Sequence, residues 1–345
     1  MTELEFQKSP GPKTSKNMGA SLFRRFSALC LLALLHTTGF AADDFPSRPV
    51  TIIVPFTAGG PTDAFFRAIA DGLQKEWGQP VIVDNKPGAN ETIAAMATVR
   101  AAKDGYTLFG ASEGALILNP LLYRKLQYNP HTQLAPISLL AKGPLVLVVP
   151  ASMPVRTMKE FIEYARSRSN TNPVTYGTTG MGGTTHLSFS ALQKQNNIVM
   201  TAVNYKGIVN VVQDLLGGNL EAAVVGPSMA EGYVKTGKLK ALAIPFARAS
   251  SLPDVPTFAE AGVTDMKAAY ELTLVGPAGT PATVIEKISR DARKVLLSQE
   301  FQKKNVEPFG LVTVGSNPKE FAEYLRTESL ARKKLVADSG VEIQD

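Results

Sequence analysis

The sequence predicts an α/β protein made of two similar halves. Three observations carry this expectation. After Asp43, short β-branched runs alternate with helical patterns, as in proteins with parallel sheets. The run Val50-Thr51-Ile52-Ile53-Val54 is a continuous apolar strand of the kind buried on both faces. A strand–Gly loop–helix unit occurs twice, once early in each of two series of elements.

In chain order, Val50–Val54 leads into a Gly/Pro loop from Pro55 to Asp63 and then a helix. Phe65, Phe66, Ile69, Leu73 and Trp77 recur there at three- and four-residue spacings, which puts them on one apolar face. Val81–Val83 and Tyr106–Phe109 read as the next strands, with a helix from about Glu91 to Ala102 between them. The second series starts at Leu145–Val149 and continues with a helix over 157–168 and a strand at Val174–Tyr176. Its Gly-rich loop, Gly177 to Thr184, enters another helix, and strands follow at 202–205, 222–225 and 239–244. After Pro253 and Pro256 come a strand at Leu272–Val275, a turn over Gly276–Pro281, and helices near 282–298 and 318–338. No repeat of solenoid length and no long linker interrupts this order.

Of 345 residues, 36 are Lys or Arg and 30 are Asp or Glu, a net charge of +6. The excess sits at the N-terminus, where residues 1–41 hold five Lys/Arg and two Glu. That leaves 31 basic against 28 acidic residues, a mixed surface with no nucleic-acid footprint. Arg24-Arg25, the apolar run Ala28–Leu35, and Gly39 and Ala41 form the three parts of a secretory signal, with cleavage expected after Ala41. The apolar run is far shorter than the roughly 20 residues that span a bilayer. Met18 offers a conventional start within the N-terminal extension. Cys30, the one cysteine, leaves with the signal, so the exported, periplasmic protein is expected to contain no disulfide and no thiolate.

Most catalytic patterns fail on inspection. Gly110-Ala111-Ser112-Glu113-Gly114 fits the nucleophile elbow of α/β-hydrolases, and an esterase using Ser112 is the alternative from another class. His131 and His186 are the only histidines after the signal, and only Glu160 and Glu163, on one surface-patterned helix, could supply an acid ahead of His186. Ser112 reads better as a hydroxyl in a ligand-facing turn. Gly232–Lys238 has Walker A spacing, but Leu239 replaces the Mg²⁺-binding hydroxyl and a strand follows, so a helix stop is expected. Two distant His without Cys or spaced carboxylates offer no metal ligand set, and no cofactor is implied. His186, at a helix start after Thr184-Thr185, is either a polar pocket residue or a structural one.

What survives is the pair of Gly loops. Pro55-Phe56-Thr57-Ala58-Gly59-Gly60-Pro61-Thr62-Asp63 delivers a strand to a helix N-terminus, where free N–H groups and about half a positive charge favour an anion. Gly177-Thr178-Thr179-Gly180-Met181-Gly182-Gly183-Thr184-Thr185 repeats that chemistry. Neither loop carries the Lys of a P-loop or the spacing of a dinucleotide fingerprint.

From Phe45 to Val341 the chain resembles the Bug-type periplasmic solute receptors, the substrate-binding components of tripartite tricarboxylate transporters. The resemblance rests on Phe45-Pro46-Ser47-Arg48-Pro49, the Val54–Asp63 loop, Gly78-Gln79-Pro80-Val81, Asp104–Leu108, Asn119-Pro120, Tyr205-Lys206-Gly207 and Leu215–Gly218. It continues through Gly237-Lys238-Leu239, Leu252–Thr257, Glu260-Ala261-Gly262 and Pro277–Pro281. It implies a type II periplasmic-binding-protein fold, two α/β lobes closing on a central ligand cleft, with no catalysis. Lobe 1 maps to 43–142 plus 248–345 and lobe 2 to 143–247. It further implies a monomeric receptor that delivers a small organic carboxylate to membrane permease subunits, or else one read by a signalling partner. The implied ligand contacts are Phe56, Thr57, Gly59, Gly60 and Thr62, then Ala111 and Ser112, then Thr179, Gly180, Gly182, Thr184 and His186. Asp63 is expected to steady its helix start.

Five positions depart from the family pattern. The usual Pro-Gly-Ala-Gly-Gly reads Pro87-Gly88-Ala89-Asn90-Glu91, Val225 replaces a common Asp, and Glu113 and Glu271 stand where small or aromatic residues are commoner. If Glu113 and Glu271 face the cleft, the better ligand is a zwitterion; otherwise they point to solvent or pair with surface cations.

Overall fold

A computed structural model describes residues 9, 11, 45–245, 251–264, 266, 268–339 and 341–344. The signal segment with its cleavage point after Ala41, and the lobe boundary at 248, lie outside the described residues. Phe45–Asp345 form one compact unit.

Strand β1 (Val50–Val54) is followed by α1 (Pro61–Trp77), β2 (Val81–Asn85), α2 (Thr92–Val99) and β3 (Thr107–Ala111). Pro61 at the first helical position suits the start of α1, and Gly78, at φ 65°, stops it by donating its N–H to the Gln74 carbonyl. Phe65, Phe66, Ile69 and Leu73 are all buried, so the predicted apolar stripe is the face that packs on the sheet. Each such side chain contributes about 1.5–3 kcal/mol by leaving water. The 11-residue β4 (Leu134–Pro144) went unrecognised in the sequence, and it pairs antiparallel along its whole length with β10 (Ala269–Pro277). With β11 (Val312–Thr313) they complete one six-stranded sheet, ordered β11-β4-β10-β3-β1-β2.

The second series comprises β5 (Val146–Pro150), α3 (Met158–Arg168), β6 (Val174–Thr178), α4 (Thr184–Asn196), β7 (Met200–Asn204), α5 (Ile208–Leu216), β8 (Ala223–Val225), α6 (Pro227–Lys235) and β9 (Leu239–Ala243). It forms the sheets β8-β5-β9 and β6-β7, linked by a bridge between Tyr176 and Ala222. The parallel sheets expected from the sequence are only partly present. The β1–β2, β1–β3 and β6–β7 pairs are parallel, whereas β5 runs against both β8 and β9, and β10 against both β3 and β4. The physical reason is connectivity: β10 re-enters the first sheet from the second series, heading the opposite way.

The chain passes between the two series at two adjacent places. Leu145 N–H donates to the Ala268 carbonyl, and the Tyr270 ring lies so close over Gly143 that a Cβ there would strike it. Phe258, Val263, Met266 and Ala268 pack with Leu147, Phe161, Tyr176 and Phe189 in the second core. Two helices close the architecture, α7 (Ala282–Leu297) and α8 (Pro318–Ser339). Along α8, Phe321 packs beneath the first sheet, while Val336 meets Leu118, Leu122 and Leu187 of α4. Among the described residues no helix is long and apolar enough to cross a membrane. The Gly232–Lys238 segment is the expected helix stop: α6 ends at Lys235, Gly237 has φ 68°, and β9 follows.

Candidate functional site

The loop after β1 is pinned from beneath. Gly59, at φ 83°, donates its N–H to Asp63 Oδ2 at 2.9 Å; Arg67 Nε reaches the same oxygen at 2.9 Å and Asn85 Nδ2 reaches Oδ1 at 2.8 Å. Burial pushes the Asp63 carboxyl upward, but the bonds from Arg67, Gly59 and Asn85 outweigh it and hold it below the usual carboxylate range. Asp63 is therefore an ionised strut. Asn85 also donates to the Phe56 carbonyl at 3.0 Å. Gly60 caps α1 in an extended conformation without any side-chain cap, which leaves the first N–H groups of that helix to other acceptors. Thr57 is exposed and Thr62 half-buried.

The second loop braces itself. Thr178 Oγ1 donates to the Gly180 carbonyl at 2.9 Å and lies 2.9 Å from Thr185 Oγ1. Gly182, at φ 79°, donates its N–H to His186 Nδ1 at 2.8 Å. Burial holds the His186 pKa below its ordinary value, so the ring is neutral, and with Nδ1 accepting, its proton is assigned to Nε2. The ring stacks near Tyr176, centroids 6.3 Å apart. His186 thus has the contacts of a loop brace. Gly183 caps α4, again with no side-chain cap, and Thr179 is exposed.

A third strand end meets these two. The Ala111 carbonyl accepts from Thr273 Oγ1 at 2.8 Å. Ser112 Oγ donates to Glu91 Oε1 and accepts from Gly114 N–H at 3.0 Å, while Ser112 N–H donates to Glu91 Oε2 at 3.1 Å. The hydroxyl is committed to a carboxylate rather than to an imidazole, so the elbow carries no Ser–His pair.

The two series touch through these loops. Thr184 Oγ1 donates to Glu113 Oε1. A Cβ on Gly180 would lie 3.0 Å from Asn90 Oδ1, and one on Gly207 would lie 3.6 Å from Thr57 Oγ1. A Cβ on Gly182 would run into Leu122. Of the predicted ligand contacts, Thr57, Gly180, Gly182 and Thr184 thus have neighbours across this seam.

Sequence reasoning missed the structural roles of Asn90 and Glu91. Ala89, Asn90 and Glu91 hold φ values of 47°, 47° and 70°, the left-handed region that glycine tolerates best. Asn90 Nδ2 donates to Asn119 Oδ1 at 2.6 Å, and Asn119 Nδ2 returns to the Asn90 carbonyl at 2.7 Å. Glu91 is fully enclosed: burial pushes its pKa up to about 7, and the Glu113 charge adds to this, against the opposing bonds from Ser112. Glu271 is also buried. Burial and then the Glu113 charge raise it, while its Oε1 accepts from Tyr324 OH. The loss of two glycines at 90 and 91 was the readable signal.

The family model for the tripartite tricarboxylate transporter family receptor matches residues 65–341. Protein BugT of Bordetella pertussis is 31% identical over 319 residues, covering 90% of this chain and 96% of BugT. The solved structure of Rpa4515 from R. palustris with adipate superposes with a TM-score of 0.81 at 31% identity, covering 87% of this chain and 99% of that one. MatC from Rhodopseudomonas palustris with bound malate gives 0.77 at 28% identity, covering 85% and 100% respectively.

Proposed function

The chain belongs to the tripartite tricarboxylate transporter receptor family, and on that premise we propose that it captures a small organic carboxylate and delivers it to the membrane subunits of a tripartite transporter. Its relatives are solute-binding receptors, and this protein is a receptor rather than an enzyme. The observation that carries the carboxylate reading is the pair of helix N-termini, Gly60 on α1 and Gly183 on α4, both without a side-chain cap. Each such terminus favours an anion by roughly 0.3–1 kcal/mol when exposed and up to about 2 when partly buried. Adipate and malate in the two related structures are carboxylates of the same kind.

In this reading Phe56, Thr57, Gly59, Gly60 and Thr62 hold one end of the ligand, and Ala111, Ser112, Thr179, Gly180, Gly182 and Thr184 surround the rest. His186 contributes by keeping the second loop in shape. The lobes divide at 142–143 and, because Phe258, Val263, Met266 and Ala268 pack with the second series, near 268 rather than at 247–248. The protein is exported through a signal cleaved after Ala41 and works as a periplasmic monomer.

A thermal-shift screen against small organic acids tests the function, because a ligand at 100 times its Kd adds about 2.7 kcal/mol of stability. A Cβ at Gly60 would meet only the Thr57 carbonyl, at 3.7 Å, so Gly60→Val keeps the fold while its bulk shields the N–H groups of α1. Loss of the shift in that variant is expected; an undiminished shift would place the carboxylate elsewhere.

A further inference from the structure

The two anion slots are not equivalent. At α1 the strut Asp63 points its oxygens back into its own loop, to Gly59, Arg67 and Asn85. At α4 the slot is already served by a carboxylate of the protein: Glu113 Oε1 accepts from the hydroxyl of Thr184, the first residue of that helix. Its other oxygen, Oε2, accepts from the Glu271 backbone N–H at 2.8 Å. Glu113 is 2% exposed and reaches α4 from the opposite series, so it occupies the seam itself. This carboxylate stands beside the first turn of α4, bonded to its Thr184 hydroxyl, and disfavours a second carboxylate in the same place.

A second observation concerns the neighbouring carboxylate. Glu271 is 3% exposed, and its Oε2 is shielded from solvent with no hydrogen-bond partner. An orphaned carboxylate oxygen of this kind is costly to bury and calls for a donor. The local cations do not fill that need. Arg332 Nε is bonded to Glu328 at 2.8 Å, and Lys142 lies over the Tyr324 ring at 4.2 Å from its centroid. Glu91, Glu113 and Glu271 therefore leave this end of the seam with an excess of buried acid.

We propose that Glu113 is the specificity residue of the site: it takes the place of a second ligand carboxylate at α4 and selects a solute with one carboxylate and, at its other end, a cationic group. The inference rests on the carboxylate reading of the α1 N-terminus. The solute's carboxylate meets the N–H groups after Gly60, and its ammonium meets Glu113, whose oxygens each retain a free lone pair beyond the bonds named above. Dicarboxylates, which suit the relatives, are disfavoured here by Glu113.

Calorimetry with solutes that differ only at one end tests this. Adipate, ε-aminocaproate and hexanoate, with shorter homologues of each, are titrated into the wild-type protein and into Glu113→Gln. The wild type is expected to bind the amino acid at least about tenfold tighter than the dicarboxylate of equal length, and Glu113→Gln to reverse that order. The wild-type ranking needs no variant, so it decides the matter even if Glu113→Gln folds poorly. Dicarboxylate binding as tight as amino-acid binding in the wild type overturns the inference, as does a ranking unmoved by Glu113→Gln. In both cases the carboxylate reading stands. No binding of any carboxylate by either protein defeats that reading as well.

Discussion

Glu91→Gln isolates the energetic cost of the buried acid. Glu91 ionises at about 7 in the folded protein, against 4.5 for its ordinary value. The folded state therefore holds the proton more tightly than the unfolded chain. As pH rises past about 4.5 the unfolded chain ionises first, so stability falls with pH, and the loss is complete only above about 7. At about 1.4 kcal/mol per pH unit the full penalty is about 3 kcal/mol. Gln keeps the shape, the left-handed backbone and an acceptor for Ser112, but cannot ionise. Urea unfolding near pH 5 and near pH 8 gives the wild type and the variant two stabilities each. The wild type is expected to lose about 2–3 kcal/mol more than the variant over that interval. Glu271, also raised, pulls in the same direction in both proteins and cancels. His186, whose folded pKa is lowered, contributes stability present above 6.5 and lost as pH falls through its folded value; it cancels too. Equal pH dependence in the two proteins would refute the burial argument for Glu91.

Asp63→Ala removes three bonds under the first loop and is expected to cost about 2–3 kcal/mol, with weaker carboxylate binding; unchanged chemical denaturation would sink the strut assignment. Gly182→Ala combines a residue at φ 79° with a side chain driven into Leu122, and is expected to destabilise by about 1–3 kcal/mol, read as a lower unfolding midpoint in urea. Mass spectrometry of protein recovered from the periplasm should find a chain starting at Ala42; retention of Leu31–Leu35 would rule out the cleavage proposal.

The fold was legible where local periodicity and local chemistry agree. The stripe Phe65, Phe66, Ile69 and Leu73 has helical spacing, starts at Pro61 and stops at Gly78, so α1 could be read whole. β4 could not be read in this way. Its residues Leu134–Pro144 include Pro136, Lys142 and Gly143, which blur any alternation, and its partner lies more than a hundred residues downstream in β10. The same distance hid the antiparallel sense of the central strands. Pairing between segments so far apart is decided by the path of the whole chain, and no window of sequence contains that path. Glycine at 143 is explained only once the Tyr270 ring is seen lying over it.

The site was legible as backbone and illegible as charge. Gly59-Gly60 and Gly182-Gly183 announce two helix starts whose N–H groups stay open, because glycine supplies both the turn and the absence of a side-chain cap. Which acids face that seam is a different question. Glu91, Glu113 and Glu271 lie far apart in sequence and meet only through the fold, Glu113 bonding both the Glu271 backbone and Thr184. The alternative that Glu113 and Glu271 point to solvent is excluded by their burial. A buried acid costs stability unless something compensates it, and the left-handed backbone at Glu91 adds strain to that cost. Stability alone would favour glycine at 91 and a small residue at 113. Two costly choices at one seam, on a scaffold shared with the structures holding adipate and malate, are accounted for together if the compensation arrives with the solute.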